Sequence, residues 1–331
     1  MATSLRVAAA TLLALVGGVI SQPVTQPPHR LIHQFPENVW IENIAVRHNG
    51  NLLLTTLTPN ASLYEVINPA SKNPSTELRF TETSVDSFFG IAELSPDKFA
   101  ILGGNHTPTA GLPGQWSVWT VDFARHNGIK PQLAATLPDA VLLNGASPVP
   151  GFPDFILAAD STRGVVFRVN VRTHKVDITQ DLPEMKPRSD TAISIGINGL
   201  RIRGNHLYFT NSATHAFYRI KVNKDGTTVN GAKVETVSVI DASFADDFAF
   251  GPGLDSTAWV VTNSDDSIVA VHSNGQSQEV AGGVGSPIIP SDTSCRFGRT
   301  LADASMLYVT TAGTGSAGGK VEAIDVSRVR R

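Results

Sequence analysis

LLLTTLTPNASLYEV (52–66), FILAADSTRGVVFRV (155–169), LYFTNSATHAFYRI (207–220) and AWVVTNSDDSIVAV (258–271) are four versions of one pattern. In each, an apolar, β-branched run breaks at small polar residues and a second alternating run follows, as in two strands joined by a tight turn. The stretches 99–121 and 307–324 repeat it with longer breaks. A leading segment recurs with the pattern: IENIAV at 41, FFGIAEL at 88, LNGASPV at 143, INGLRI at 197, DDFAF at 246 and FGRTLA at 297. Taking Asn43, Gly90, Asn144, Asn198, Asp246 and Gly298 as equivalent points, the intervals are 47, 54, 54, 48 and 52 residues. That spacing, without the 3.6-residue period of a helical solenoid, predicts an all-β fold, a six-bladed β-propeller. A β-sandwich is the structural alternative, but it predicts no set of six equivalent segments.

The sixth repeat stops after its third strand, at Ile324. HRLIHQF, starting at residue 29, is expected to fill the vacant strand position, so that an N-terminal strand closes the ring and covers two edges that would otherwise invite aggregation.

Length alone, 331 residues, suggests two domains, yet propellers of this size form one unit, so residues 22–331 are read as one propeller domain. Residues 1–21 read as a signal peptide: Arg6 supplies the basic start, Val7 to Ile20 the apolar run and Val19-Ile20-Ser21 the cleavage site. The run is shorter than the about 20 residues a spanning helix needs, which favours a leader over an anchor, and no later segment suits a membrane. Secretion, or residence in the secretory lumen, is the expected address. Asn60 and Asn105 stand in glycosylation sequons, each read as lying in a polar loop. Charged residues make up 17% of the chain, the net charge is −3 and the basic residues are scattered, which excludes a nucleic-acid partner. The single cysteine, Cys295, permits no internal disulfide and reads as a small buried residue. No serine-hydrolase elbow, zinc helix, phosphate loop or dinucleotide turn is present, and the sequence assigns no oligomeric state.

In a propeller the first strand of each blade faces the channel, and the loops entering it share a rim with those between second and third strands. Trp40, Glu42, Asn43, Phe89, Asn144, Asn198, Asp246, Phe248, Phe297 and Arg299 are expected from the first set. His106, in a long blade-two loop from Gly103 to Gln115, and Trp116 come from the second. A pocket of aromatics and amides suits small, mostly apolar oxygenated substrates. Several of these residues also have a plainer reading. Phe89, Phe248 and Phe297 suit packing between blades, Asn144 and Asn198 precede glycine as turn residues do, Asp246 suits a solvated turn, His106 suits solvent, and Arg299 suits a tie between blades. Glu42, inside an apolar run, needs a partner.

The stretches LNGASPVPGFPDFILAADSTRGVVFRV (143), INGLRIRGNHLYFTNSATHAFYRI (197) and CRFGRTLADASMLYVTT (295) resemble the gluconolactonase and senescence-marker-protein propellers, in particular a secreted fungal branch containing hetero-Diels-Alderases of tropolone and sesquiterpene pathways. The resemblance implies a divalent cation, usually calcium, on Glu42, Asn198 and Asp246, oxygen ligands that suit a hard ion. Asp247 departs from the family's glycine, and the sugar-acid clamp has no counterpart around Asn144. The branch resemblance implies a cycloaddition between a tropolone ortho-quinone methide and a humulene-type sesquiterpene, with Asn43, Asn144, Asn198 or Arg299 donating to the heterodiene oxygen. Trp40, Phe89, His106, Trp116, Phe248 and Phe297 would then line the substrates, and no cofactor is required. A calcium-dependent lactonase or esterase and a non-catalytic ligand-binding propeller are the alternatives.

Overall fold

The repeated runs fold as blades because their second strands are apolar on both faces and are buried between neighbours. A computed structural model describes residues 26–107, 110–124, 129–189, 194–314 and 316–329. The leader expected at 1–21 lies outside the described residues.

β1 (His29–Gln34) precedes the first blade, which comprises β2 (Trp40–Val46), β3 (Leu52–Thr58), β4 (Ala61–Ile67) and β5 (Ser75–Glu82). Blade two is β6 (Ser87–Ser95), β7 (Lys98–Thr107), β8 (Ala110–Asp122) and β9 (Gln132–Leu137). Blade three is β10 (Leu143–Val149), β11 (Phe152–Asp160), β12 (Val165–Asn170) and β13 (Val176–Asp181). Blade four is β14 (Ile197–Arg203), β15 (His206–Asn211), β16 (Ala216–Lys221) and β17 (Glu235–Val239). Blade five is β18 (Phe248–Phe250), β19 (Ala258–Val261), β20 (Ser267–Val271) and β21 (Ser277–Gly282). Blade six opens with β22 (Asp292–Phe297) and β23 (Met306–Thr311), passes through a small hairpin of β24 (Gly313–Thr314) and β25 (Ala317–Gly318), and continues in β26 (Lys320–Asp325).

The sixth sheet has the order β1-β26-β23-β22, so the N-terminal strand closes the ring as expected. His29 pairs with Ile324 and Gln34 with Lys320, while Ile32 and Phe35 bury themselves with Tyr308 and Val321. A three-residue 3-10 turn, Pro183–Met185, is the only helical element among the described residues, and none of their helices is long and apolar enough to cross a membrane.

The core is a ring of interfaces. Leu53 and Leu63 of blade one meet Phe88, Phe99 and Trp119 of blade two, and Trp259 and Ile268 of blade five meet Leu307 and Val309 of blade six. Cys295 is buried there, its thiol donating to the Trp259 carbonyl at 3.3 Å. The small polar break in each repeat has two uses. Asp160 accepts from the backbone amides of Thr162 and Arg163, and Asn211 from those of Ala213 and Thr214, folding the turn into the third strand. Neighbouring hydroxyls stitch blades one, three and four to the start of the next blade: Thr55 donates to the Phe89 carbonyl (2.7 Å), Ser161 to that of Ile197 (2.6 Å) and Ser212 to that of Ala245 (2.8 Å).

The structure corrects two sequence expectations. Blade six does not begin at Gly298: its first strand is β22, and Gly298 belongs to the turn that follows, its amide bonded to the Met306 carbonyl. The blade-two segment from Gly103 to Gln115 is a long hairpin rather than a loop, with His106 opposite Gly111 and Thr107 opposite Ala110. Asn105 consequently lies in a strand, whereas Asn60 lies in the exposed β3–β4 turn.

Candidate functional site

Strand pairing fixes which residues are equivalent around the channel. Ile44 faces Leu54, Ile91 faces Ile101, Ala146 faces Ala158, Leu200 faces Phe209, Phe248 faces Val260 and Cys295 faces Val309. Two positions upstream of these stand Glu42, Phe89, Asn144, Asn198, Asp246 and Thr293, one from each blade. In β2, β6, β10, β14 and β22 the ladder slips at this point. A bulge re-aims side chains, and here it does so at the same level in every one of those strands. Thr293 therefore replaces Phe297 as the blade-six member of the ring.

Two carboxylates of this ring are buried without a cationic partner among the described residues: Glu42 is 8% exposed and Asp246 is 7%. Burial pushes the Glu42 carboxyl up to about 7, with the Trp40 indole N–H, 2.7 Å from Oε2, pulling it down and Asp247 pushing it further up. Asp246 is raised well above the usual carboxylate range, first by burial and then by repulsion from Glu42, Asp247 and Asp292, with an Asn198 hydrogen bond opposing. Asn198 gives its amide N–H to Ser212 Oγ at 3.0 Å.

Phe89, the blade-two member of the ring, packs edge-on against Trp116 (5.2 Å between centroids) and His106 (5.9 Å), and with Trp116 it is buried in the core between blades two and three. His106 Nδ1 lies 3.0 Å from Ser87 Oγ, and burial lowers its basicity. Trp40, Glu42, Phe89, His106, Trp116, Asn144, Asn198 and Asp246 thus gather at the mouth where the first strands begin, the ring mouth.

The next layer plugs the channel. Its members are Asn43, Gly90, Gly145, Gly199, Asp247 and Ser294. A Cβ on Gly90 would stand 2.4 Å from the Asn144 carbonyl oxygen, and one on Gly145 would stand 2.3 Å from that of Asn198, so half the layer is glycine because adjacent backbones touch. The other half meets at Asp247. Its carboxylate takes Arg201 Nη2 on both oxygens (2.9 and 2.8 Å), Ser294 Oγ (2.7 Å), Asn43 Nδ2 (3.3 Å) and Arg296 Nη1 (3.3 Å). Asn43 serves this hub, and Phe248 is wholly buried between blades, 4.9 Å from Phe217.

Phe297 and Arg299 lie on the far side of the plug, where the first strands end. They line a cavity of about 660 Å³ with Arg201, Arg203 and Arg296. The separation follows from strand rise: Ala45, which lines this cavity, is three residues beyond Glu42, about 10 Å along the strand. Arg299 Nη1 binds the Val46 carbonyl (2.7 Å) and Glu93, tying blades six, one and two. Sequence reasoning expected one rim and found residues of two, and it missed Arg201, Arg203 and Arg296. INGLRIR and CRF carry these arginines within first strands, where an alternating pattern reads them as solvent-facing.

No protein-family model matches the chain. In sequence it is 31% identical over 311 residues to a Sarocladium schorii protein named as a hetero-Diels-Alderase, covering 86% of this chain and 78% of that one. It is also 31% identical over 312 residues to a Phoma protein of that name, covering 86% of each. Among solved structures it resembles a luciferin-regenerating enzyme (TM-score 0.62, 12% identity, 92% and 97% of the two chains). An Agrobacterium tumefaciens calcium-binding protein, regucalcin, is equally similar (0.62, 15%, 91% and 95%). A protein described as a gluconolactonase follows (0.59, 14%, 90% and 92%). These structural likenesses speak for the fold alone.

Proposed function

The chain belongs to the hetero-Diels-Alderase family, and from that premise we propose that it joins a tropolone ortho-quinone methide to a humulene-type sesquiterpene at the ring mouth. The observation that carries the enzyme class is 31% identity across 86% of the chain to two proteins of that name. The choice of mouth is supported by the buried polar ring of Glu42, Asn144, Asn198 and Asp246, with the half-buried His106 edge-on to Phe89 beside it.

A hetero-Diels-Alder step forms one C–C and one C–O bond as the alkene adds across the heterodiene, and nothing leaves. Such a step needs no nucleophile. It needs two apolar partners held face to face, which in well-aligned systems supplies about 7 to 11 kcal/mol. The rim of the mouth orients them, and an amide N–H from Asn144 donated to the heterodiene oxygen stabilises the charge that oxygen gains. Glu42 and Asp246, with raised proton affinity, are suited to handing a proton to the hydroxyl that departs as water when the quinone methide forms, while the adjacent ring hydroxyl gives up its own proton and restores the carboxyl.

Purified protein incubated with a quinone-methide precursor and humulenol should raise adduct yield and fix its stereochemistry relative to buffer. Identical product mixtures would sink the reading and favour a propeller that binds without turnover.

Buried carboxylates with no cationic partner favour a second occupant of the same ring. Glu42, Asp246 and the carbonyl oxygen of Asn198 form an oxygen-only donor set that fits a hard divalent cation such as calcium. Such an ion, when bound, supplies Lewis acidity toward a substrate carbonyl. Loss of turnover in EDTA, restored by calcium, would support this occupancy, and full turnover in EDTA would refute its need. We also infer export through the leader at 1–21, which N-terminal sequencing of protein recovered from culture medium would test.

A further inference from the structure

We propose that the arginine-lined cavity at the far mouth is a second binding site, separate from the ring, and that its ligand is an organic carboxylate with an apolar body. Four arginines line it, Arg201, Arg203, Arg296 and Arg299, while Glu93 is the only carboxylate in its wall. Asp247 lies behind two of them, within the plug. Charge at this mouth is therefore positive although the chain as a whole is at −3.

Arg201 is committed to Asp247 and to the Ala146 and Leu200 carbonyls, but the other three arginines keep donors free among the described residues. Arg203 forms no ion pair among the described residues. It gives Nη2 to the Gly253 carbonyl (2.9 Å), reaches that of Gly251 with Nη1 (3.5 Å) and lies over the Phe250 ring at 4.8 Å. Arg296 and Arg299 spend only Nη1 on protein acceptors among the described residues. Each of these three leaves part of a rigid planar fork open, and such forks match the two oxygens of a carboxylate.

The rest of the cavity is apolar. Ala45, Ala146 and Ala249 form small-residue steps on the first strands, and Phe250 and Phe297 add rings. A bare inorganic ion would leave most of about 660 Å³ unfilled. An anion carrying a ring or chain would use both the arginines and the apolar wall.

Calorimetric titration of the whole mature protein with 4-phenylbutyrate, its neutral amide and inorganic phosphate tests this. The carboxylate should bind about tenfold more tightly than either competitor and weaken as salt is raised. Arg203→Gln should abolish the preference over the amide. Glu93→Gln should strengthen it, an opposite sign that misfolding cannot mimic. Equal affinity for acid and amide, phosphate binding as tightly as the carboxylate, or indifference to both substitutions would overturn the site. Adduct formation assayed on the same samples reports the ring mouth independently.

Discussion

Asp247 shows what one residue does to this channel. Four polar side chains from three other first strands converge on its carboxylate, and two of them are arginines. Replacing it by asparagine leaves two guanidiniums in a nearly buried layer without their counter-charge, so Asp247→Asn should cost about 3–5 kcal/mol. A urea midpoint unchanged from the parent would show that the plug is not held by this hub. Asp97 makes a pH-dependent contribution. Hydrogen bonding and charge from Arg47 hold its carboxyl below the usual range, with His48 adding to the pull and burial opposing. A group whose folded value is depressed binds more protons unfolded, so its stabilisation is complete above the unfolded value of about 4 and is lost as pH falls through the lower folded one. Asp97→Asn should flatten that acid limb in a series of melts, and an equally steep limb would reject the assignment. The sequons diverge as well. Asn60 is exposed in a turn, while Asn105 gives its amide N–H to Gln115 and accepts from the Asp86 amide. On the export inferred above, a glycan is expected at Asn60 alone, so that mass spectrometry of protein from the medium should show a loss for Asn60→Gln and none for Asn105→Gln.

At the scale of strands, what could be read from sequence follows from how local the signal is. Glu42 stood out because a carboxylate inside IENIAV contradicts its neighbours, and it is indeed buried. Arg201 and Arg296 gave no such signal, since an arginine in an alternating strand reads as solvent-facing, and their partner Asp247 lies on another blade. The blade-six strand was misplaced because DTSCRF lacks a β-branched run, whereas FGRTLA copies the leading segment FFGIAEL. Gly103 and Gly104 read as loop residues, yet they sit in β7 because Cβ atoms there would stand 2.7 Å from the Phe88 ring and 2.5 Å from the Trp116 ring. The glycines make room for aromatics. The same reasoning predicts Gly145→Ala: its Cβ would press on the Asn198 carbonyl at 2.3 Å and the Gly199 Cα at 3.0 Å, both backbone atoms of the next blade. We expect about 1–3 kcal/mol of destabilisation, read as a lower melting temperature, and an unchanged melt would mean that the blades separate easily there.

For the molecule as a whole, stability depends on how the ring is closed, because blade six, alone among the blades, is built from both ends of the described chain. β1 joins β26 antiparallel, the Asp325 amide binds the Pro28 carbonyl at 2.8 Å, and His29 Nδ1 meets Glu322 at 2.7 Å. Residues 26–34 therefore hold the last blade to the first without a covalent link across the seam. Removing them exposes the edge of β26 and uncovers the apolar surface that Ile32 buries against Val321 and Tyr308. Such a chain should melt well below the parent and aggregate. The cause is loss of pairing rather than of any residue's identity, so the same strand supplied from the other end should restore the ring. A permuted chain that begins in the Pro36–Asn38 turn and returns from Val326 through a short linker into His29–Gln34 converts the seam into an ordinary hairpin. It should regain the parental melting temperature. A permutant that folds no better than the truncation would show that closure requires the strand to enter from the N-terminus.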